Sequence, residues 1–403
     1  MALTAPAIDT SQLERVRRAE RVEDENLPRL GFGLMRLPLL PKPAGAAAAD
    51  PEPIDVEQVT DMVDACMAAG MNYFDTAYTY LGGRSELVAG QALVARYPRD
   101  TFFLATKLPF WSLRAGETPD EILARQLERT GAGYFDLYLL HNVEGPAAYA
   151  YYEEQGCFAW AQRQRAAGRI RHFGFSFHGG PELLEQILYE HPEVEFVQLQ
   201  LNYLDWENPV IQSRANYEVA RAHGLPIVVM EPIKGGALAA PVPAAAELLR
   251  ATAPEASPAS WALRFIAGKP GIMTVLSGMS ARAQMAENVA TLGPGFQPLN
   301  AEEAAVLEQA AEAFRIAPVV ACTACRYCLD GCPMGIPITD ILRALNAYRL
   351  DGLPERAQGA YERAVAGAGR ASDCIQCGQC EGACPQHLPI IELLQEAAEA
   401  FEE

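Results

Sequence analysis

Lysine is scarce in this 403-residue chain: Lys42, Lys107, Lys234 and Lys269 stand against 28 arginines. A lysine at a mechanistically sensible place therefore carries extra weight. Long apolar runs are missing as well. The longest are broken by charge or proline well short of the ~20 residues that a spanning helix needs. A mean hydropathy of −0.02 also argues against a membrane protein. Residues Met1 to Arg29 mix acids and bases without an apolar stretch, so a secretion signal is not expected and a cytoplasmic location is. There is no basic cluster. With 51 acids against 32 bases, a nucleic-acid backbone is excluded as a partner. Cysteine is nearly absent from the first 321 residues, where only Cys66 and Cys157 occur, and the other eight fall in the last 82. Such clustering without a secretion signal reads as metal ligation, not disulfides.

What is present alternates. Apolar runs at Leu30–Leu34, Met71–Phe74, Thr101–Thr106, Phe135–Leu140, Ile170–Phe175, Phe196–Leu201, Pro226–Met230 and Ile272–Leu276 read as eight strands. Helical stretches lie between them. Val59, Met62, Val63, Cys66 and Met67 fall on one face of the first. Others start near Ser85, Pro119, Pro146, Pro181, Pro209, Pro258 and Ser280, several with proline in the first turn. Eight strands alternating with eight helices predict an α/β fold, a (β/α)8 TIM barrel. A doubly wound sheet is the competitor, but no Gly-rich dinucleotide fingerprint follows the first strand. The expected organisation is an N-terminal extension over 1–28, the barrel over 29–295, a linker over 296–317 and a helical domain over 318–403. Pro38 to Pro53, rich in proline and alanine, reads as a flexible insertion. The tail from 301 holds 16 acids and 7 arginines, and Ile338, Ile341, Leu342, Leu345 and Tyr348 recur at helical spacing.

The tail carries Cys322-x2-Cys325-x2-Cys328-x3-Cys332-Pro333 and then Cys374-x2-Cys377-x2-Cys380-x3-Cys384-Pro385. This is the run of bacterial two-cluster ferredoxins, present twice. Three thiolates two residues apart can wrap one face of a cubane, while the fourth points away and serves the other cluster. One [4Fe–4S] cluster is thus expected on Cys322, Cys325, Cys328 and Cys384, the second on Cys374, Cys377, Cys380 and Cys332. Paired zinc sites are the plainer alternative, but the repeated x2-x2-x3-Pro pattern disfavours them. The 41 residues between the runs read as helices, so the domain is a helical ferredoxin-like variant. Cys66 and Cys157 are expected in the core.

Chemistry in such a barrel sits at the C-terminal strand ends. Asp75, Tyr80, Lys107 and His141 fall there and form a coherent set. A phenol is a weak proton donor at neutral pH. A neighbouring lysine lowers its pKa by charge, and an aspartate holds the lysine. A histidine at the same mouth can orient a carbonyl oxygen. The set suits carbonyl reduction, with a proton reaching oxygen as hydride reaches carbon. Each member has a plainer reading: a capping Asp75, a solvated Lys107, a core His141, and Tyr78 in place of Tyr80 as the working phenol. Trp111, Tyr80, Phe110 and Phe177 are expected to line an apolar substrate pocket.

Asn72-Tyr73-Phe74-Asp75-Thr76-Ala77 with Tyr80, Ser85-Glu86, Ala105-Thr106-Lys107, Asp136 to His141, Gly174-Phe175-Ser176 and Ala286-Glu287-Asn288 resemble the aldo/keto reductases. The resemblance implies Tyr80 as general acid, Lys107 and Asp75 as its tuning pair, and His141 as substrate orienter. It implies nicotinamide extended across the barrel mouth, with Ser176, Gln198, Met230, Ser277 and Asn288 at cofactor positions. Gly174 to His178, Gln198 to Tyr203, Met230-Glu231-Pro232 with Gly235-Gly236, and Leu276 to Ser280 resemble the branch with a C-terminal iron–sulfur domain. The sequence departs from the family pattern at Phe177, where an asparagine is usual, and at Met230, where an aromatic is. It departs again at Gly278 and Gln284, where a lysine and an arginine grip the 2′-phosphate of NADP. A preference for NADP is therefore not expected; Arg282 could substitute for the missing grip, but the plainer reading, a helix-surface arginine, is favoured.

The expectation is an oxidoreductase interconverting a small-molecule carbonyl and alcohol, with two clusters passing electrons to or from a redox protein. A hydride moves two electrons and a cluster one, and a flavin at the mouth would reconcile them, though no flavin motif is visible. The alternatives are an ordinary NAD(P)H reductase with structural clusters, and a non-catalytic electron-transfer subunit. The intact four-residue set argues against the last.

Overall fold

The computed structural model describes residues 21–43, 45, 51–351 and 354–402. Residues 1–20 of the expected extension and most of 44–50 in the expected insertion lie outside these. The chain divides into two compact units, one from 1–40, 53–232 and 263–298, the other from 41–52, 233–262 and 299–403.

In the first unit eight parallel strands close in sequence order: β1 Leu30–Gly33, β2 Tyr73–Asp75, β3 Phe103–Pro109, β4 Phe135–Val143, β5 Ile170–Phe177, β6 Phe196–Gln200, β7 Ile227–Met230 and β8 Ile272–Gly278. β8 returns to β1 with Leu30 opposite Val275 and Gly33 opposite Gly278. All eight expected strands form, but β3, β4, β5 and β8 run further than expected, β3 and β4 by three residues. Pairing of Lys107 with Leu139 and of Pro109 with His141 keeps both residues inside strands, not beyond their ends. Gly174 is required where β5 meets β6, since a Cβ there would lie 2.3 Å from the Phe196 carbonyl.

Helices start at Pro119, Pro146, Pro181 and Pro258, with proline in the first turn where its missing N–H costs nothing. Thr118 and Glu121 close a capping box at the first. The helix expected near Pro209 begins instead at Ser213. Asn208 accepts the N–H groups of Val210 and Ile211, a local turn that competes with helix.

Side chains alternate along each strand, and one phase fills the barrel. Tyr73, Phe103, Ala105, Leu137, Leu139, Phe196, Val228 and Leu276 form that interior, with Val22 and Leu27 packed against its end. Glu25 accepts from His172 there at 3.1 Å, and Glu195 takes the other ring nitrogen at 3.1 Å.

The second unit is helical. Ala301–Ile316, with Asn300 and Glu303 as a capping box, forms where a linker was expected, and packs on Pro243–Thr252. Ile338–Asp351, Pro354–Val365 and Ile390–Phe401 bury Ile338, Ile341, Leu342, Leu345, Tyr361, Leu394 and Phe401. Tyr348, assigned to the same apolar face, is instead 40% exposed and meets Phe401 edge-on at the rim. Segment 233–262 belongs to this unit although it lies within the barrel's stretch of sequence, so the domain boundary is not a single point near 296.

Candidate active site

The interior phase of the barrel delivers the functional side chains. Two residues above Tyr73 is Asp75, two above Ala105 is Lys107, and two above Leu139 is His141. Gln198 follows Phe196, and Met230 follows Val228 in the same way. These residues, all polar but Met230, are thus the top layer of a stack whose lower layers are apolar.

Lys107 is fully buried and donates to Asp75 Oδ1 at 2.6 Å and to the Thr76 carbonyl at 2.8 Å. Its Nζ lies 4.8 Å from the centre of the Tyr80 ring. Burial pushes the Lys107 ammonium down and the Asp75 carboxyl up, and each charge partly restores the other. The His141 ring is edge-on to Tyr80 at 5.8 Å. Burial, then the Lys107 and His178 charges, hold His141 well below its ordinary value, so the imidazole is neutral. All four members of the expected set therefore meet at one point.

Tyr78 is not at that point. Its hydroxyl donates to Glu117 at 2.7 Å and meets Arg125, while Arg129 covers its ring. Burial and Glu117 raise its pKa, the wrong direction for an acid. Sequence reasoning missed the support behind Lys107. Buried Glu86 accepts from Thr106 at 2.7 Å, Gln126 at 2.9 Å and Arg129 at 3.1 Å, and Gln126 also donates to the Lys107 carbonyl. Glu86 was visible only as part of a motif, and its partners lie on β3 and on the helix that starts at Pro119.

Trp111 stands 5.0 Å from the His141 ring, with Phe110 edge-on behind it. Phe177 does not join them. It is on the outward phase of β5, 1% exposed, packed on Phe175 and directly under Gly179.

Ser176 accepts from the N–H of Asn142 at 2.7 Å, and Asn142 adopts a left-handed conformation. Gln198 Nε2 lies 3.4 Å from the Met230 sulfur, while its Oε1 is buried and has no partner. That orphaned acceptor fits an amide N–H of a nicotinamide carboxamide. Ser277 and Asn288 hold each other, Asn288 donating at 3.0 Å. Gly278 gives room to Arg36, whose side chain packs over it and pairs with Glu231 at 3.4 Å. Arg36 was also missed, because the β8–β1 closure that brings it here spans almost the whole barrel sequence. Gln284 caps Ser280, and Arg282 pairs with Asp61 on the surface, as expected of it.

The two cysteine runs fold alike. Ala324 and Arg326 are left-handed in the first, and Gln376 and Gly378 hold the same places in the second. Gly335 and His387, three residues past Cys332 and Cys384, are also left-handed. Such turns bend N–H groups inward, and Ala324 N–H points at Cys322 Sγ at 3.4 Å. Cys332, Cys374, Cys377 and Cys380 line one hollow, partly open to solvent. Cys328 is buried, and its thiol is pushed up by burial and then by Cys325, Cys322 and Cys384. Among the described residues no three His, Cys, Asp or Glu side chains converge as ligands of a single ion do. A cubane keeps its thiolates further apart, one per iron. Cys66 and Cys157 are buried, each pushed up to about 12 chiefly by burial, and neither joins a loop.

The family model "Aldo/keto reductase family" matches residues 29–312. The chain belongs to the aldo/keto reductase family. A second model, "4Fe-4S dicluster domain", matches 321–388. An NADH-specific methylglyoxal reductase of Escherichia coli K12 is 24% identical over 335 residues, 72% of this chain and 96% of that protein. An aldo-keto reductase of Mycolicibacterium smegmatis is 28% identical over 223 residues, 54% of this chain and 68% of that one. Among solved structures, the holo form of an aldo-keto reductase from Bacillus halodurans has a TM-score of 0.54 at 23% identity, covering 74% of this chain and 97% of its own. The Klebsiella pneumoniae enzyme in complex with NADP and acetate has a TM-score of 0.53 at 21%, covering 74% and 95%. These establish an aldo/keto reductase-type oxidoreductase with a 4Fe–4S domain. Among the described residues no helix is long and apolar enough to cross a membrane.

Proposed function

We propose that this aldo/keto reductase interconverts a small carbonyl compound and its alcohol with NADH. The observation that carries the reading is buried Lys107, held by Asp75 and facing the Tyr80 ring. Bound nicotinamide supplies the hydride. Tyr80 delivers the proton to the carbonyl oxygen, helped by the Lys107 charge, which favours the phenolate left behind. Neutral His141 orients that oxygen as a hydrogen-bond donor, and Trp111 excludes water beside it. Ser176 and the orphaned Gln198 Oε1 hold the carboxamide. Acidic Glu231 beside Arg36 makes a 2′-phosphate unwelcome, in keeping with the NADH-specific relative.

The tail carries two [4Fe–4S] clusters, on Cys322, Cys325, Cys328 and Cys384 and on Cys374, Cys377, Cys380 and Cys332. They supply one-electron transfers. The open hollow and exposed Cys377 support exchange with a redox protein. A flavin finds no support in the relatives, and the reading does without one.

Anaerobic purification with iron and sulfide analysis, followed by NADH-dependent reduction of methylglyoxal and other 1,2-dicarbonyls, tests the whole. Zinc in place of iron sinks the cluster assignment. Carbonyl turnover absent with both NADH and NADPH sinks the catalytic one.

A further inference from the structure

Of the three lysines that the proposed chemistry does not use, one is buried. Lys234 is 3% exposed, lies in the second unit, and donates from Nζ to Gln386 Oε1 at 3.0 Å. Gln386 is two residues past Cys384. The next residue, Gly235, lies on the other end of the same ligand set. A Cβ there would fall 2.2 Å from the Thr323 carbonyl, and Thr323 adjoins Cys322. Lys234, Gly235 and Gly236 are all left-handed, at φ 45°, 64° and 103°. One short turn thus touches both chain segments that carry the ligands assigned to the first cluster.

At the matching place of the second ligand set Gly369 makes the close approach, where a Cβ would fall 2.3 Å from the Met334 carbonyl, and the basic residue beside it, Arg370, is exposed. Where the Cys384 end has Gln386, the Cys332 end has Met334, which is 40% exposed. The two loops share a backbone, but the basic residue beside the glycine is buried at the first site and exposed at the second.

We infer that Lys234 is a positioning cation for the cluster on Cys322, Cys325, Cys328 and Cys384, raising that cluster's reduction potential relative to the same site without the charge. The inference rests on the ligand sets proposed above. Reduction adds one electron to a site already negative through its thiolates, with no bond made or broken. A fixed positive charge nearby favours the more negative state, and burial weakens the screening that would cancel it. The buried turn gives the ammonium a fixed place, whereas a surface lysine would move and be screened.

The test is an anaerobic dithionite titration of the full chain followed by EPR. Wild-type, Lys234→Gln and Lys234→Arg proteins are compared, each with its iron content. Lys234→Gln should lower the midpoint of one reduction step and leave the other unmoved. Lys234→Arg, which keeps the charge, should titrate as wild type does. Both steps unmoved in Lys234→Gln, both shifted equally, or a step shifted upward overturns the inference. If Lys234→Gln loses iron, Lys234→Arg decides: an unchanged midpoint upholds the role of the charge, and a lowered midpoint or lost iron refutes it. Wild-type protein without two four-iron clusters fails the underlying cluster reading instead.

Discussion

Replacing Tyr80 by phenylalanine removes one hydroxyl and almost nothing else. The side chain is 8% exposed, and its ring covers Lys107 Nζ at 4.8 Å and meets His141 at 5.8 Å. Phenylalanine keeps the ring, its burial and its attraction for the ammonium, worth about 0.5–2 kcal/mol. The fold should therefore change by less than about 1 kcal/mol, and NADH should bind as before. The lost group is the proton donor. General acid catalysis typically contributes about 10²–10⁴-fold. At about 1.4 kcal/mol per tenfold, that is a barrier higher by about 3–5.5 kcal/mol. Because the proton moves only in the transition state, kcat and kcat/KM should fall together. The assay is NADH oxidation by methylglyoxal under anaerobic conditions, alongside a thermal melt and an NADH titration. Tyr78→Phe is the control, since that phenol is held by Glu117 and Arg125 away from the lysine. It should stay within about threefold of wild type on this reasoning. Tyr80→Phe retaining wild-type kcat, or Tyr78→Phe failing as badly, would refute the assignment.

Lys107→Met leaves Asp75 buried without its ammonium. It should cost about 3–5 kcal/mol in urea unfolding, whereas Tyr80→Phe costs little. Nicotinamide titrations should find NADH bound at least as tightly as NADPH, given Glu231, Gly278 and Gln284. NADPH binding a hundredfold tighter contradicts that. Burial alone would lower the pKa of His172, but Glu195 and Glu25 outweigh it and raise it. Its stabilisation is then complete below the unfolded value near ~6.5 and lost as pH rises through the raised folded value. His172→Gln should remove that pH dependence from unfolding curves. Cys332→Ser should disturb the cluster of the second run and spare the first. Loss of the first cluster, with the second spared, would mean that each run holds its own.

The barrel was legible because its signal is local. Eight apolar runs in alternation reveal it without any knowledge of contacts, and strand parity then carries Asp75, Lys107 and His141 to one layer. What parity also dictates, but the motif reading overlooked, is that Phe177 must point outward. It follows inward Ser176, so it cannot share a pocket with Trp111. The linker was misread because alanine-rich residues 301–316 show little periodicity, while the capping box at Asn300 and Glu303 was there to be found. Tyr348 obeys helical spacing yet lies at the helix end, where the covering helix stops. Arg36, Glu86 and Lys234 act through partners remote in sequence, and no periodicity reports such pairings.

The duplicated loops separate what a cluster site needs from what it tolerates. The side chains between the cysteines differ freely, with Thr323 and Ala324 set against Ile375 and Gln376. The backbone does not differ. A left-handed residue precedes and follows the second cysteine in each run, and another follows the Cys-Pro pair. In the second run glycine takes one of these places, and in the first glycine takes another. The remaining four, Ala324, Arg326, Gln376 and His387, bear side chains and strain the loop by about 1–2 kcal/mol each. An empty loop would relieve that strain by relaxing. In the proposed site iron–thiolate bonds and inward N–H groups would outweigh it, so cluster loading and loop order would be one equilibrium. Chelating the iron should therefore loosen 322–335 and 374–387 first, and hydrogen exchange should report both loops opening while β1 to β8 stay protected. Loss of protection across the barrel at the same rate would show that the clusters brace the whole chain.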